Sequence, residues 1–516
     1  MKAHLLYDAR DFDWSRDARW NEQTLNQDLE LDIVYRAMAA GDNFLYDIAR
    51  KVVPESLTEL DTILYRQAVL QDCIDHESAV RQLYVIAVQA VEAERKSFYW
   101  GLTASASSVL HSARDLVQAF IPVLRKLRDT VDQQGSVFRS AGLQRFCAMI
   151  REALSDDYFA AITVCLKELK FRHGVLISAQ LGRGNKGTRY VLRKPHEREP
   201  NLLRRLFAKR SPSRTFRIAD RDESGARALS ELEARGIDHV ANALAQSGDH
   251  IKSFFSMLRA ELGFYLGCLN LRADLIARGV PLCMPVCRLS AERQHRFEAL
   301  HDVSLALRMN RAPVGNDADA NGKDLIVVTG ANQGGKSTFL RSIGMAQVMM
   351  QAGMPVGAAS FDANIASGIF THYKREEDPS MRGGKFDEEL RRMSEIVDHL
   401  QENALLLSNE SFASTNEREG SAIGRQIVDA LLEKRVKICL VTHLFTLASG
   451  LHENGTFPSL FLRAQRLEGG ERTFRLIEAR PLQTSFGEDV YRRIFGAHEG
   501  DADEAPPSAE ALSGVK

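Results

Sequence analysis

The residues Gly330-Ala331-Asn332-Gln333-Gly334-Gly335-Lys336-Ser337 follow the spacing GxxxxGK[ST], between the apolar run LIVVT and a segment with helical periodicity. In such a loop, backbone N–H groups and the following helix N-terminus cradle phosphate oxygens. The spacing predicts that Lys336 reaches the β and γ phosphates of a nucleotide and that the Ser337 hydroxyl ligates Mg²⁺. A second apolar run, ALLLS, ends in Asn409-Glu410. Glu410 is placed to orient or deprotonate an attacking water. Asn409 stands where an Asp is expected beside the metal; it can accept a hydrogen bond from a metal-bound water but adds no charge, which predicts weaker Mg²⁺ binding. A third run, ICLVT, ends in His443, set to sense the γ-phosphate or the water, or else a strand-end histidine with ordinary partners.

A different chemistry is written in residues 167 to 217, where 15 Lys/Arg stand against Glu168, Glu197 and Glu199. The segment carries +12, so the rest of a chain of net charge -1 carries -13. Within it, VLISAQL and TRYVLRK alternate like strands around GRGNKG, which predicts a hairpin at about 174 to 194. Arg183, Lys186, Arg189, Arg193 and Lys194 on that hairpin are the candidate contacts to a DNA backbone. The alternative is a solvated loop, or one that docks an acidic partner or the chain's own acidic end.

These sites need elements to hold them. The chain has 516 residues, 44% of them hydrophobic, enough for more than one core. No apolar run approaches membrane-spanning length and the start lacks a signal-peptide plan, which predicts a soluble, cytoplasmic protein with no membrane partner. Seven cysteines lie scattered without a CxxC pair, and are read as reduced core thiols. From 22 to 156 apolar residues recur at helical spacing; 195 to 217 is rich in Pro and Arg; 221 to 280 reads as two long helices, the second opening at Asp249. After Pro281 strand and helix alternate, and 498 to 516 has the composition of a disordered acidic tail. The expected fold class is α plus α/β. A helical core spans 1–125, followed by lever helices with the basic, clamp-like 174–217 segment over 126–285 and a P-loop α/β ATPase domain over 286–497.

The runs TGANQGGKSTFLRSIG, RGGKFDEELRRM, LLLSNESFASTNEREG and CLVTH together resemble the ATPase domain of the MutS family of DNA mismatch-repair proteins, particularly its shorter bacterial members. PVGND (313–317) is similar to that family's loop beside adenine, SFGEDVYRRIFG (485–496) to its closing helical segment, and LDTILYRQAVL more weakly to its helical core. The resemblance implies that Gly335, Lys336, Ser337 and Thr338 bind the phosphates and Mg²⁺ of ATP, with Gly330, Ala331, Gln333 and Gly334 completing the loop. It also implies that Asn332 touches the γ-phosphate or the water, Glu410 is the catalytic carboxylate and His443 a switch histidine. Three positions depart from the pattern. Pro313 or Val314 replaces the aromatic on adenine, Asn409 replaces the acid, and Gly384-Lys385 replaces the Ser-Thr that approaches ATP across a dimer, where Lys385 becomes a candidate for the trans phosphate. The wedge-bearing mismatch-reading domain and a nuclease domain are not seen in the sequence; Phe386-Asp387-Glu388 and Phe486-Gly487-Glu488 match the wedge triplet by chance.

The reading is a slow ATP hydrolase of MutS type, a homodimer through its ATPase domains. It couples ATP binding and hydrolysis to clamping of branched, damaged or mismatched DNA in repair or recombination. The alternative is an ATP-dependent switch or scaffold with negligible hydrolysis, which Asn409 and Lys385 favour and Glu410 opposes. An ABC or SMC-type ATPase would bring an LSGGQ-like signature or long heptads, and the sequence has neither.

Overall fold

The computed structural model describes residues 1–97, 105–172, 174–194, 214–375, 384–467 and 471–483. They fall into two compact units, Met1–Phe12 with Gln71–Gly263, and Asp13–Leu70 with Phe264 onward. Residues 13–70 thus share a unit with the α/β half of the chain, a grouping that sequence order does not reveal.

The first unit is helical. Its helices Ala106–Gln134, Ala141–Ala153 and Asp156–Glu168 each start at a serine, Ser105, Ser140 and Ser155, whose hydroxyl accepts a first-turn backbone N–H. The hairpin forms where expected: β1 (Leu176–Leu181) pairs antiparallel with β2 (Gly187–Arg193), and Gly184 at φ 71 makes the turn. Leu192 packs against a core that contains Leu110, Val117, Leu166 and Ile237.

One expectation fails. Residues 221 to 280 hold a single helix, Glu223–Ala277, not two. The helix runs on through Ser247-Gly248, just before the second helix was expected to open, and Ser247 Oγ donates back to the Ala243 carbonyl at 2.9 Å. Gly248 meets Leu116, which would lie 3.1 Å from a Cβ there, so close packing outweighs the entropic cost of glycine. The thiol expectation is corrected in part: Cys73, Cys147, Cys268, Cys287 and Cys439 are buried, but Cys283 is half-buried and Cys165 exposed.

The second unit contains two sheets. A four-stranded sheet runs β3–β7–β4–β5, from β3 (Val286–Arg288), β4 (His295–Leu300), β5 (Asn316–Asp319) and β7 (Ser360–Asn364). A six-stranded sheet runs β12–β11–β6–β10–β9–β8, from β6 (Leu325–Thr329), β8 (Ile369–Tyr373), β9 (Leu405–Asn409), β10 (Lys437–Val441), β11 (Ser459–Arg466) and β12 (Arg472–Glu478). Strands β11, β6, β10, β9 and β8 are parallel, and β12 closes the edge antiparallel. Central strands β6 and β10 are buried along their whole length, as strands covered on both faces must be. Leu325, Val327, Leu406, Ile438 and Leu440 share one core with Val428 and Leu431 of helix Glu417–Glu433 and Leu447 of helix Phe445–Asn454. No helix among the described residues is long and apolar enough to cross a membrane.

Candidate nucleotide site

Parallel strands emit their following loops at one edge, which is where open α/β sheets bind ligands. Register puts Val328 of β6, Val441 of β10 and Asn409 of β9 side by side. The next residues, the loop from Gly330, the pair Thr442-His443 and Glu410, therefore emerge together. Gly330 has φ 109, and a Cβ there would sit 2.9 Å from the Ala464 nitrogen, so both backbone and space require glycine. Gly335, at φ 91, turns the chain into helix Lys336–Gln351, whose first N–H groups have no partner within the helix.

Lys336 is buried, and its ammonium donates to the Gly330 and Ala331 carbonyls at 3.0 and 2.9 Å. Burial pulls its pKa down to about 8; the Glu410 carboxylate opposes this and Arg472 adds to it. A cation kept this far from water is stabilised by any anion that arrives. Ser337 donates its hydroxyl to Asn409 Oδ1 at 3.0 Å, which joins loop and strand end. Glu410 Oε1 accepts from His443 Nε2 at 2.7 Å. That hydrogen bond, against the opposing effect of burial and aided by His443, Lys336 and Lys374 charge, holds the Glu410 carboxyl below its ordinary range.

These groups border a cavity of about 610 Å³, a volume in the range of small-molecule sites. Asn332, Gln333, Gly334, Gly335, Lys336, Ser337, Thr338 and Glu410 line it, as do Pro313 and Val314. Asn409 and His443 reach it through Ser337 and Glu410. Lys385 opens helix Lys385–His399 and lies outside the lining.

Sequence reasoning missed Phe474 and Arg472, and gave Asn316, within PVGND, no role of its own. Phe474 of β12 lines the cavity, 49% exposed and at φ 58, and supplies an aromatic face from a strand that carries no motif. Asn316 links it to the sheet, donating to the Phe474 carbonyl at 3.3 Å and accepting from Leu476 N–H at 2.8 Å. Arg472 donates to Gln333 Oε1 at 2.9 Å and brings a second cation to the loop. The sequence signal for them is the Gly469-Gly470 pair between two alternating runs, a pattern that reads as a hairpin.

Residues 326–497 match the family model described as MutS domain V, and residues 58–278 the one described as MutS2 N-terminal domain. The chain is a member of the MutS family. Among MutS-family relatives it is 31% identical to the DNA mismatch repair protein MutS of Thermus aquaticus over 170 residues, 32% of this chain and 20% of that one. It is 30% identical to MutS protein homolog 4 of Mus musculus over 136 residues, 26% and 14% of the two chains. To Endonuclease MutS2 of Aquifex aeolicus it is 27% identical over 211 residues, 38% and 27%. The chain thus spans between 14% and 27% of these relatives' lengths.

The basic hairpin belongs to the first unit. Arg183, Lys186, Arg189, Arg193 and Lys194 are all exposed. Arg193 donates to Ser178 Oγ at 2.9 Å, Arg189 approaches Gln180 Oε1 at 3.5 Å, and Lys194 pairs with Glu168 at 3.3 Å. Leu181 beside the turn is 79% exposed. The remaining basic residues from Arg198 to Arg210, the 485–496 segment and the acidic tail lie outside the described residues.

Proposed function

We propose that this chain binds ATP with Mg²⁺ at the 330–338 loop and hydrolyses it slowly, and that ATP binding and hydrolysis govern how its basic hairpin clamps DNA. The observation that carries the reading is the meeting of three strand ends on one cavity. Lys336 supplies a buried cation, Ser337 touches Asn409 at 3.0 Å, and Glu410 touches His443 at 2.7 Å.

Hydroxyl and amide oxygens are hard donors, and two of them on a triphosphate suit Mg²⁺, which keeps several waters. Ser337 would hold the ion directly and Asn409 through water. When bound, Mg²⁺ neutralises phosphate charge. Lys336 leaves the Gly330 and Ala331 carbonyls for the phosphate oxygens, its buried charge being stronger there than in water. His443 fixes the Glu410 carboxylate, whose free lone pairs accept a proton from, or align, the attacking water. Phe474, Pro313 and Val314 offer an apolar surface for the base.

In this reading the chain pairs as a dimer through its ATPase domains and acts in DNA repair or recombination in the cytoplasm. Lys385 approaches the partner's nucleotide, and branched, damaged or mismatched DNA is the substrate. ATP turnover and ATP-dependent gel shifts on duplex, mismatched and branched DNA test this together; an absence of ATP binding refutes it. Asn409 favours a second reading, a switch that binds ATP with negligible hydrolysis, because that position adds no charge beside the metal. Single-turnover measurement separates the two.

A further inference from the structure

The chain after β9 takes an unusual path. Glu410 and Phe412 both have positive φ, 56 and 65, in a turn that contains no glycine. A bulky residue rarely adopts that conformation, and such strain persists only where the surroundings enforce it. Glu410 projects from this turn toward His443, so the turn's shape sets where the carboxylate points.

The enforcing groups come from another element. Glu389, on helix Lys385–His399, is only 2% exposed, and its carboxylate straddles the turn. One oxygen accepts the Phe412 N–H at 3.0 Å and the other the Ser414 hydroxyl at 2.7 Å. The Glu389 carbonyl, 3.0 Å from His372 Nε2, ties the same helix turn to β8. Burial pulls His372 down to about 4, so the ring is neutral at ordinary pH. It donates from Nε2, and Ser411 Oγ lies 2.6 Å from Nδ1 and 2.9 Å from the His372 carbonyl, the two acceptors for its one proton, while Ser408 donates to Ser411 at 2.6 Å. Gly420 also packs close against the turn, since a Cβ there would lie 2.3 Å from the Phe412 carbonyl oxygen.

We propose that Glu389 is the positioning residue for Glu410, its buried carboxylate clamping the strained 410–414 turn in the form that aims the water-orienting group. This rests on the role given to Glu410 above and adds a consequence. The helix that begins at Lys385 sets the hydrolytic geometry from one turn further along, so movement of that helix alters turnover through the 410–414 turn, with Glu389 itself bonded to the turn. The Gln residue is the informative substitution here. Its amide oxygen accepts from Phe412 N–H and its NH₂ donates to the Ser414 oxygen, which preserves both contacts, whereas Ala removes both.

The test uses the full chain. Glu389→Ala should lower kcat about 100-fold, the cost of a small misplacement at a reacting centre, with ATP affinity within about threefold of the parent. Glu389→Gln should recover most of the loss. Amide exchange at 410–414 should rise about tenfold in Glu389→Ala with the 330–338 loop unchanged. On a Glu410→Gln background, Glu389→Ala should cost almost nothing further, because the two act as a unit. If Glu389→Ala does not fold, Ser414→Ala, which removes half the clamp, should show the same split at smaller size. Parental kcat in the folded Ala variant, or a full additive loss on the Glu410→Gln background, overturns the clamp. If the parent itself lacks turnover, the hydrolysis reading falls, and exchange alone decides: unchanged protection at 410–414 overturns the clamp.

Discussion

The edge of the parallel sheet and the basic hairpin both carry the cations proposed to meet phosphate, yet they are built in opposite ways. At the sheet edge Lys336 is buried and held by two carbonyls, and its neighbours bond in two pairs, Ser337 with Asn409 at 3.0 Å and His443 with Glu410 at 2.7 Å. On the hairpin Arg183, Lys186 and Arg189 stand exposed beside an exposed Leu181. The difference teaches where specificity resides. A paired site acts through position, so one atom matters; an exposed cationic surface acts through charge density, so only the sum matters.

The contrast breaks most sharply at Glu410. Glu410→Gln keeps the shape and the His443 contact but removes the base, and should lower kcat about 1000-fold while ATP binding persists. Rapid-quench turnover with a parallel binding titration checks it; a kcat within tenfold of the parent would assign the water to another group. Lys336 comes next. Lys336→Ala should weaken ATP binding about 100-fold, the scale of lost charge-assisted contacts, as read by calorimetry. The same residue predicts a pH dependence. In the free protein its pKa is about 8. A bound triphosphate raises that value, so binding takes up a proton once pH exceeds 8. Affinity should then be level below pH 8 and fall about tenfold per pH unit above it, until the complex itself deprotonates. A flat profile between pH 7 and 9.5 would mean that the ammonium does not meet the phosphates.

The hairpin answers to salt instead. Neutralising Arg183, Lys186 and Arg189 together should flatten the salt dependence of DNA binding by up to about three logarithmic units, alike for all sequences. At moderate ionic strength the affinity loss should be about tenfold or more, and basal ATP turnover should be unchanged. Single substitutions should shift the slope by only about one unit each. An unaltered slope in the triple variant would make this surface a solvated or partner-docking loop.

The same contrast governs what could be read from sequence. The loop at 330–338, its strand and its helix are contiguous, so short-range grammar locates them, and two more strand ends follow from apolar runs that stop at a polar residue. The hairpin was legible from alternation around a Gly/Asn turn. Phe474 and Arg472 were not, because only the β11–β12 return brings them to the loop, and the bond from Asn316 of PVGND to Phe474 depends on the same return. Nor was the Glu389–His372–Ser411 network, whose members are spread over three elements and whose significance lies in two backbone angles. The single helix Glu223–Ala277 was misread at Ser247-Gly248 for the same reason: tertiary packing against Leu116 overrode a local breaker.

The smallest expected effect sharpens the comparison most, since it asks whether charge or position limits the paired site. Asn409 accepts the Ser337 hydroxyl through Oδ1, and an aspartate accepts it equally well, so Asn409→Asp leaves the geometry in place and changes only charge. The added charge attracts Mg²⁺ but also stands next to Glu410, raising that carboxyl toward its ordinary range and weakening its preference for the ionised form. At this half-buried edge solvent screens both effects, so the net gain should be modest: half-saturating Mg²⁺ lower by about fivefold, and kcat higher by no more than about threefold. Titrating Mg²⁺ at saturating ATP reads the two separately. A lower Mg²⁺ requirement with unchanged kcat would show that the native site is limited by metal occupancy and that Glu410 geometry already sets the rate. A fall in kcat would mean that the like charge disturbs Glu410 more than the metal gains. Equal Mg²⁺ dependence would remove position 409 from the metal site and leave Ser337 as its protein ligand.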